Sequence, residues 1–482
     1  MKLYVLSEGA KEEAAIDLIR RTIAGTPYEG RVYIAGGFVR DEIMGKQSND
    51  IDLVIDEDNG GIKFAEWLTK TLGIHKEGSN PVIYPRFGTA MFSLRRLSHL
   101  GQDLSGIDIE CVMPRAEENE IPDDRQSIVV RKTTMNGDAF RRDLTINALY
   151  KNISTGQILD LTGHGIEDIK NGVLRTPTNP DDTFGHPKFG DPLRMLRVIR
   201  FASKYGFEVN QNVIDSIKKN ANRLKNISQE RIKDELEKML LSSKPAYAIR
   251  MLRDTGLLSY IIPEFSPMVG LEQGIYHDKD AFEHTMDVIE STPPSLITRL
   301  AALLHDIGKP GTRQPHQVKG YEFIGHEDVS AEMASDILKR LRFPGDVIAK
   351  VVIIIQKHMS LRPASEELSD KALRKFARGV ESDENLTNAL DLMQADYEAH
   401  PSADKSMFKT FKARFAKLKD ASVQSPLKQK VISGEEIMKE LGVPQGPMVG
   451  KALKYVQELY DSDPSIDKRT IIDKLRELIF KN

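Results

Sequence analysis

The sequence predicts an α+β protein: a mixed sheet with helices at the start of the chain, and an all-α remainder. Three observations carry this expectation. Residues 32–56 run from a β-rich segment through a glycine turn and a short helix into a second apolar strand. Residues 81–94 and 106–115 read as further strands. From residue 189 onward the apolar spacing is helical.

Residues 9–24 have the pattern of an amphipathic helix leading into the strand Val32–Ala35. Gly36 and Gly37 follow. Glycine lets backbone amides approach phosphate oxygens, and a helix start behind it adds positive dipole. Arg40 and Asp41 are expected to open that helix. The next strand carries Asp50 and Asp52. Carboxylates at i and i+2 share one strand face. Such a pair can hold two divalent cations about 4 Å apart, which clamps an in-line phosphoryl displacement. Singly, these are a glycine turn and two solvated aspartates. Together they point to nucleotidyl transfer.

GGFVRDEIMG followed by DID resembles the class II nucleotidyltransferases of the polymerase-β type, the group of the tRNA CCA-adding enzymes and bacterial poly(A) polymerases. The resemblance covers roughly residues 30–260. It implies a polymerase-β-like head, with Asp50 and Asp52 holding Mg²⁺ and Gly36, Gly37, Arg40 and Asp41 near a nucleoside triphosphate.

Composition bounds the rest. The chain has 482 residues and net charge −3, so RNA contact requires a local basic patch. The single cysteine, Cys111, excludes an internal disulfide and a thiolate zinc finger, and suits a reducing cytoplasm. The N-terminal segment lacks the apolar core of a signal peptide, and no window approaches a membrane span.

Residues 62–73 read as a helix ended by Gly73. On the strand at 106–115, Asp108 and Glu110 share a face. The resemblance makes Glu110 the third catalytic carboxylate, with Asp108 behind it. Residues 116–138 read as a mobile loop plus a connecting strand. AFRRDLTINALY (139–150) resembles the family's RRDxTxNA motif and implies nucleotide contacts from Arg142, Asp143 and Asn147. Guanidiniums pair with phosphates, while a carboxylate and an amide suit ribose hydroxyls.

The helix 189–207 begins at Asp191-Pro192. Asp191 and Arg194 at i, i+3 resemble the EDxxR element that reads the incoming base. Gly190 stands where that element has an acid. Residues 227–240 resemble an ERxxxE element, with Arg231 contacting RNA phosphate or bracing the helix.

Six of the eleven histidines fall within 277–358. Residues 300–310 place His305-Asp306 at the end of an apolar helix, with His284 before it and GHED and QKHM after it. Imidazoles and carboxylates on successive helices can share one cation, a transition metal or Mg²⁺. Residues 265–400 resemble the HD phosphohydrolases, which implies metal ligation by His284, His305, Asp306 and Asp396, with His326 and His358 as further ligands. In the tail, the basic helix 405–420 offers Lys412 and Arg414 to tRNA phosphates or to solvent, and helices follow near 434–441, 447–461 and 467–480.

The expected domains are a nucleotidyltransferase head (1–160), a helical neck (161–265), an HD domain (266–400) and a helical tail (401–482). The expected activity is template-independent addition of C, C and A to tRNA from CTP and ATP, with phosphohydrolase chemistry in the HD domain. A poly(A) polymerase, a partial CC- or A-adding enzyme, an HD hydrolase with a substrate-binding head and a non-catalytic RNA-binding protein are the alternatives. No membrane partner is expected, and the sequence implies no oligomeric state.

Overall fold

A computed structural model describes residues 10–48, 50–74, 80–94, 104, 106–122, 127–275, 278–361, 369–401, 403–421, 432–463 and 465–480. His277, one of the clustered histidines, lies outside them. The chain divides into two compact units, Met1–Ile261 and Ile262–Asn482.

The first unit opens with α1 (Ala10–Ile23), β1 (Val32–Ala35), α2 (Gly37–Ile43), β2 (Ile51–Ile55) and α3 (Gly60–Thr71). There follow β3 (Val82–Tyr84), β4 (Thr89–Leu94), β5 (Ile107–Val112), β6 (Arg115–Asn119), β7 (Ile128–Lys132), α4 (Met135–Phe140), β8 (Leu149–Asn152) and β9 (Ile158–Asp160). Seven strands form one mixed sheet in the order β3-β4-β5-β2-β1-β8-β9. β2 and β5 run parallel, and the other neighbours are antiparallel.

The alternation in β2 sets its faces: Ile51, Leu53, Val54 and Ile55 are buried, while Asp52 is exposed. α3 seals the far face through Phe64, Ala65 and Leu68. Its backbone comes so close that a Cβ on Gly61 would lie 2.5 Å from the Cys111 carbonyl oxygen and 2.8 Å from that of Gly88.

Three local expectations are corrected. α2 starts at Gly37, so Arg40 and Asp41 lie inside it rather than opening it. Asp50 precedes β2 rather than lying within it. The segment 116–138, expected as a mobile loop plus a connecting strand, holds that strand as β7, but it also contains most of β6, which pairs with it, and the start of α4; residues 123–126 lie outside the described set. The β6 strand escaped notice because its contacts are ionic. Glu117 receives Arg115 Nε at 3.0 Å and Arg141 Nη1 at 3.1 Å, and no apolar alternation marks RAEEN.

The unit continues through α5 (Gly165–Asn171), β10 (Val173–Leu174), α6 (Pro180–Gly185), α7 (Leu193–Tyr205), β11 (Glu208–Val209), α8 (Gln211–Asn220), α9 (Gln229–Leu240), α10 (Pro245–Asp254) and α11 (Leu258–Ile261). This part is helical apart from the short parallel pair β10–β11. Gly190 has a steric reason: a Cβ there would sit 2.6 Å from both the amide nitrogen and the carbonyl oxygen of His186.

The second unit contains α12 (Ala281–Ser291), α13 (Leu296–Leu304), α14 (Lys309–Thr312), a hairpin of β12 (Gln314–His316) and β13 (Gly320–Glu322), α15 (His326–Arg340), α16 (Gly345–Lys357), α17 (Asp370–Gly379) and α18 (Asp383–Glu398). α19 (Lys405–Ala421), α20 (Gly434–Leu441), α21 (Pro447–Ser462) and α22 (Lys468–Phe480) follow. α13 is buried from Ile297 to Leu304, as its apolar sequence dictates. α20–α22 enclose a small core of Ile437, Leu441, Val456, Ile471 and Leu475. Among the described residues no helix is long and apolar enough to cross a membrane.

Gly61→Ala is expected to destabilise the first unit by about 1–3 kcal/mol through overpacking. Thermal unfolding of the full chain measures it. A shift under about 0.5 kcal/mol would mean that α3 can move away from β5 freely.

Candidate active site and metal centre

A cleft of about 540 Å³ opens in the first unit. Its lining includes Gly36, Gly37, Asp52, Glu110, Asp143, Asn147 and Asp191, with seven arginines: 40, 115, 141, 142, 194, 197 and 231. A chain of net charge −3 thus concentrates positive charge in one place. The parallel register pairs Asp52 with Glu110, so both carboxylates project from the same face of neighbouring strands. Partial desolvation within the cleft and the adjacent Glu110 push Asp52 up to about 6, with Asp50 adding to the rise. Asp52 and Glu110 thus offer two neighbouring carboxylates to a divalent cation, while Asp50 is not among the residues that line the cleft. Asp108 instead takes a hydrogen bond from Ser93.

The arginines are held by Asp138, which sequence reasoning missed. Asp138 is fully buried and meets Arg141 Nη2 at 2.7 Å and Arg142 Nη2 at 3.2 Å. It also accepts from the Tyr150 hydroxyl at 2.6 Å and the Arg115 amide at 3.1 Å. Burial alone would raise its pKa, but Arg142 and Arg141 outweigh burial and hold it well below the usual 3.8. Arg142 further donates to the Asn147 carbonyl at 3.0 Å. Gly36 makes room for it: φ is 68°, and a Cβ there would lie 3.0 Å from Arg142 Nη1. The Gly36 amide donates to the Leu149 carbonyl, so only the turn beyond it can face a phosphate.

Arg40 and Asp41 are buried and bonded to each other at 2.8 Å. Arg40 donates to Asn147 Oδ1 at 2.5 Å, and the Tyr205 hydroxyl donates to Asp41 at 3.1 Å. The pair braces α2 against α7. Arg40 reaches the cleft wall, whereas Asp41 is not among the lining residues. Asp143 accepts from Asn147 Nδ2 at 3.0 Å and from Arg197 Nε at 2.7 Å. Burial opposes ionisation of Asp143, but Arg197 and Asn147 outweigh it and hold its pKa well below the usual range.

Asp191 and Arg194 both line the cleft. Asp191 accepts from the Leu193 amide at 3.1 Å and from Arg231 Nη2 at 2.9 Å, so Arg231 braces the start of α7. In the second unit, Lys412 and Arg414 are tied to carboxylates, Lys412 to Asp391 at 2.7 Å and Arg414 to Asp370 at 2.8 Å. Phe408, Phe411 and Phe415 of the same helix are buried.

The second unit gathers His284, His305, Asp306, His326, His358 and Asp396 from five places in the sequence. His284 Nε2 lies 2.9 Å from Asp396 Oδ1 and 3.7 Å from Asp306 Oδ2. His305 Nε2 and His326 Nε2 lie 3.1 and 3.2 Å from the two oxygens of Asp306. His358 stands 5.3 Å from both the His305 and His326 rings. The Nδ1 atoms of His305, His326 and His358 meet the carbonyls of Ala302, Phe323 and Ile355 at 2.8, 2.7 and 2.6 Å. Each Nε2 is thereby turned inward. These three Nε2 atoms and Asp306 Oδ2 are buried without a well-aligned hydrogen bond, although ion-pair partners stand close. Donors of this kind fit a divalent cation. Burial opposes charge on His305, but Asp306 outweighs it and pushes the imidazole up to about 10. Lys309, missed in the sequence, bridges Asp306 and Gln273 at 2.6 Å each.

Comparison with known proteins agrees with this layout. The poly(A) polymerase head domain model matches residues 32–175, that for a probable RNA- and SrmB-binding site of polymerase A matches 206–269, and the HD domain model matches 282–399. The CC-adding tRNA nucleotidyltransferase of Thermus thermophilus is 34% identical over 67% of this chain and 72% of its own. The A-adding tRNA nucleotidyltransferase of Deinococcus radiodurans is 33% identical over 67% and 74%. The Bacillus stearothermophilus CCA-adding enzyme, solved in complex with CTP, shares the fold with a TM-score of 0.68 at 21% identity, covering 97% of each chain. The protein is a nucleotidyltransferase. It belongs to the tRNA nucleotidyltransferase family, with an HD domain in the same chain.

Asp138→Asn is expected to cost about 3–5 kcal/mol, because it leaves buried cations uncompensated. The native pKa is depressed, so this contribution is complete above 3.8 and is lost only as pH falls below it. Denaturant unfolding should therefore show a constant gap to wild type from about pH 8 to 5, narrowing under about pH 4. A gap that closes near pH 6 would point to another group.

Proposed function

We propose that this protein adds C, C and A to the 3′ ends of tRNA from CTP and ATP without a template. The Asp52–Glu110 pair at the floor of an arginine-walled cleft carries the reading. Asp50, Asp52 and Glu110 are the candidate catalytic carboxylates, with Mg²⁺ ions held by Asp50 and Asp52. When bound, such ions neutralise charge on the reacting phosphates and favour the 3′-alkoxide. The 3′-oxygen bonds to the α-phosphorus while the bond to the pyrophosphate oxygen breaks. Arg142, fixed by Asp138, takes triphosphate charge beside Gly36 and Gly37. Asp143 and Asn147 face the ribose side of the cleft. Arg40 and Asp41 act indirectly, by holding α2 in place. Asp191 and Arg194 discriminate C and A from G and U, with Arg231 steadying Asp191.

Incubating the protein with tRNA lacking its 3′ end and single labelled nucleotides tests this. Ordered addition of C, C and A supports it. Addition of C alone, or of A only after CC, assigns one of the partial activities named for the two relatives above. A-tails on any RNA would make it a poly(A) polymerase. We place the protein in the cytoplasm, where its free Cys111 stays reduced.

We propose a phosphohydrolase role for the HD site, with His284, His305, Asp306 and Asp396 as ligands and His326 and His358 as ligands of a second cation. Lys309, bonded to Asp306, helps fix the orientation of that carboxylate.

Asp52→Asn should lower kcat by about three orders of magnitude or more, with a smaller loss in nucleotide affinity. A kcat loss under tenfold would remove Asp52 from the metal site. Arg194→Ala should relax the preference for CTP and ATP over UTP and GTP by about 1–3 kcal/mol. Unchanged discrimination in competition assays would refute its role.

His305→Ala with Asp306→Ala should abolish metal-dependent hydrolysis of a 2′,3′-cyclic nucleotide or a 3′-phosphorylated RNA end, while sparing nucleotide addition. If wild type hydrolyses neither with Mg, Mn, Ni or Co, the HD site serves structure alone.

A further inference from the structure

The sheet face that carries the carboxylates continues past them as an apolar shelf. β5 pairs with β4 so that Glu110 is opposite Met91, and β4 pairs with β3 so that Met91 is opposite Val82. Asp52, Glu110, Met91 and Val82 therefore form one row across four strands on one face. Tyr84 is two residues from Val82 and shares that face. Met91 is 37% exposed, Val82 55% and Tyr84 43%; of the alternate residues Leu53, Cys111 and Ala90 are fully buried, and Ile83 on the edge strand is 37% exposed. A large, bare apolar surface on an edge strand is a liability unless something covers it.

The position of the triphosphate decides what covers it. The glycine turn and Arg142 stand at the end of β1, on the opposite side of the β2–β5 pair from β4 and β3. In phosphoryl transfer the attacking and leaving oxygens lie roughly in line across the phosphorus. With pyrophosphate leaving toward β1, the attacking 3′-hydroxyl arrives from the β4–β3 side. Two strand spacings, about 10 Å, separate the Asp52 and Met91 strands, enough for a ribose over Glu110 with its base beyond.

We infer that Met91, Val82 and Tyr84 form the platform on which the RNA's 3′-terminal base rests while its 3′-hydroxyl reaches the carboxylates. This rests on the proposed nucleotidyl transfer to RNA. The chemistry of the shelf fits that task. During successive additions the terminal base changes, so the surface beneath it must accept every base. Stacking on apolar and aromatic groups does so, whereas a hydrogen-bonding surface would favour one base.

The test uses the full-length protein and an RNA acceptor ending in 2-aminopurine, whose fluorescence falls when it stacks. Wild type should quench the probe. Met91→Ser with Tyr84→Ser should restore its fluorescence and raise the KM for RNA by about 5- to 100-fold, the range expected for losing one stacked base. The KM for CTP at saturating RNA should stay within about twofold. Met91→Leu and Tyr84→Phe should behave as wild type. All four changes are at exposed positions, and circular dichroism verifies folding.

Wild-type addition without quenching, or a double variant with unchanged RNA KM, overturns the platform while leaving nucleotidyl transfer intact. Shelf-dependent quenching in a wild type that extends no RNA leaves the platform standing and removes the catalytic reading. If the double variant instead converts a dimer to a monomer in sedimentation without changing RNA binding, a second copy of the chain covers the shelf and the inference falls.

Discussion

The register between β2 and β5 is the constraint on which the candidate active site depends, because it sets two carboxylates side by side where electrostatics alone would part them. A slip of one residue would turn Asp52 away from the cleft and expose Leu53. The apolar face forbids that slip. Ile51, Leu53, Ile109 and Cys111 are all buried, and each aliphatic side chain of this kind contributes about 1.5–3 kcal/mol. Their sum exceeds the repulsion between two carboxylates in an open, partly solvated cleft, on the order of 1–4 kcal/mol. The cost is left as the raised pKa of Asp52, which a bound cation would reverse.

A second layer makes the cleft usable. Seven arginines around one cavity would repel one another and wander without fixed counter-charges. Asp138 supplies one from within, holding Arg141 and Arg142 and taking the Arg115 amide. Asp143 does the same for Arg197, and Asp191 for Arg231. These carboxylates thus fix guanidiniums that line the cleft.

The division between what the sequence disclosed and what it hid follows the range of the contacts. The helix at 193–205 and the tail helices were legible because spacing of a few residues determines them, whereas the strand that was to hold both Asp50 and Asp52 begins only at Ile51. The α+β character was legible from strand segments alone. Asp138 was not: Arg141 and Arg142 lie only a turn away, but its burial and its bonds to Tyr150 and Arg115, 12 and 23 residues distant, come from the fold. Arg40 and Asp41 sat in the right motif, but their bracing role depends on Asn147 and Tyr205, 107 and 164 residues distant. The β6 strand hid behind its polar composition. Lys412 and Arg414 looked like a free basic face only because Asp391 and Asp370 lie on other helices.

The histidine cluster of the second unit follows the opposite rule from the open carboxylate cleft. His305 and His358 are buried, and three Nε2 atoms lack a well-aligned partner. Leaving such groups unsatisfied costs about 1–3 kcal/mol each, so a cluster serving only to fill the core would be less stable than apolar residues of equal volume. The backbone carbonyls that orient three imidazoles add geometry that packing alone does not require. Cations bound in the two groups that share Asp306 would supply partners to these atoms. Energetically, the cluster makes sense as a coordination site whose ligands were fixed in advance, and poorly as a core.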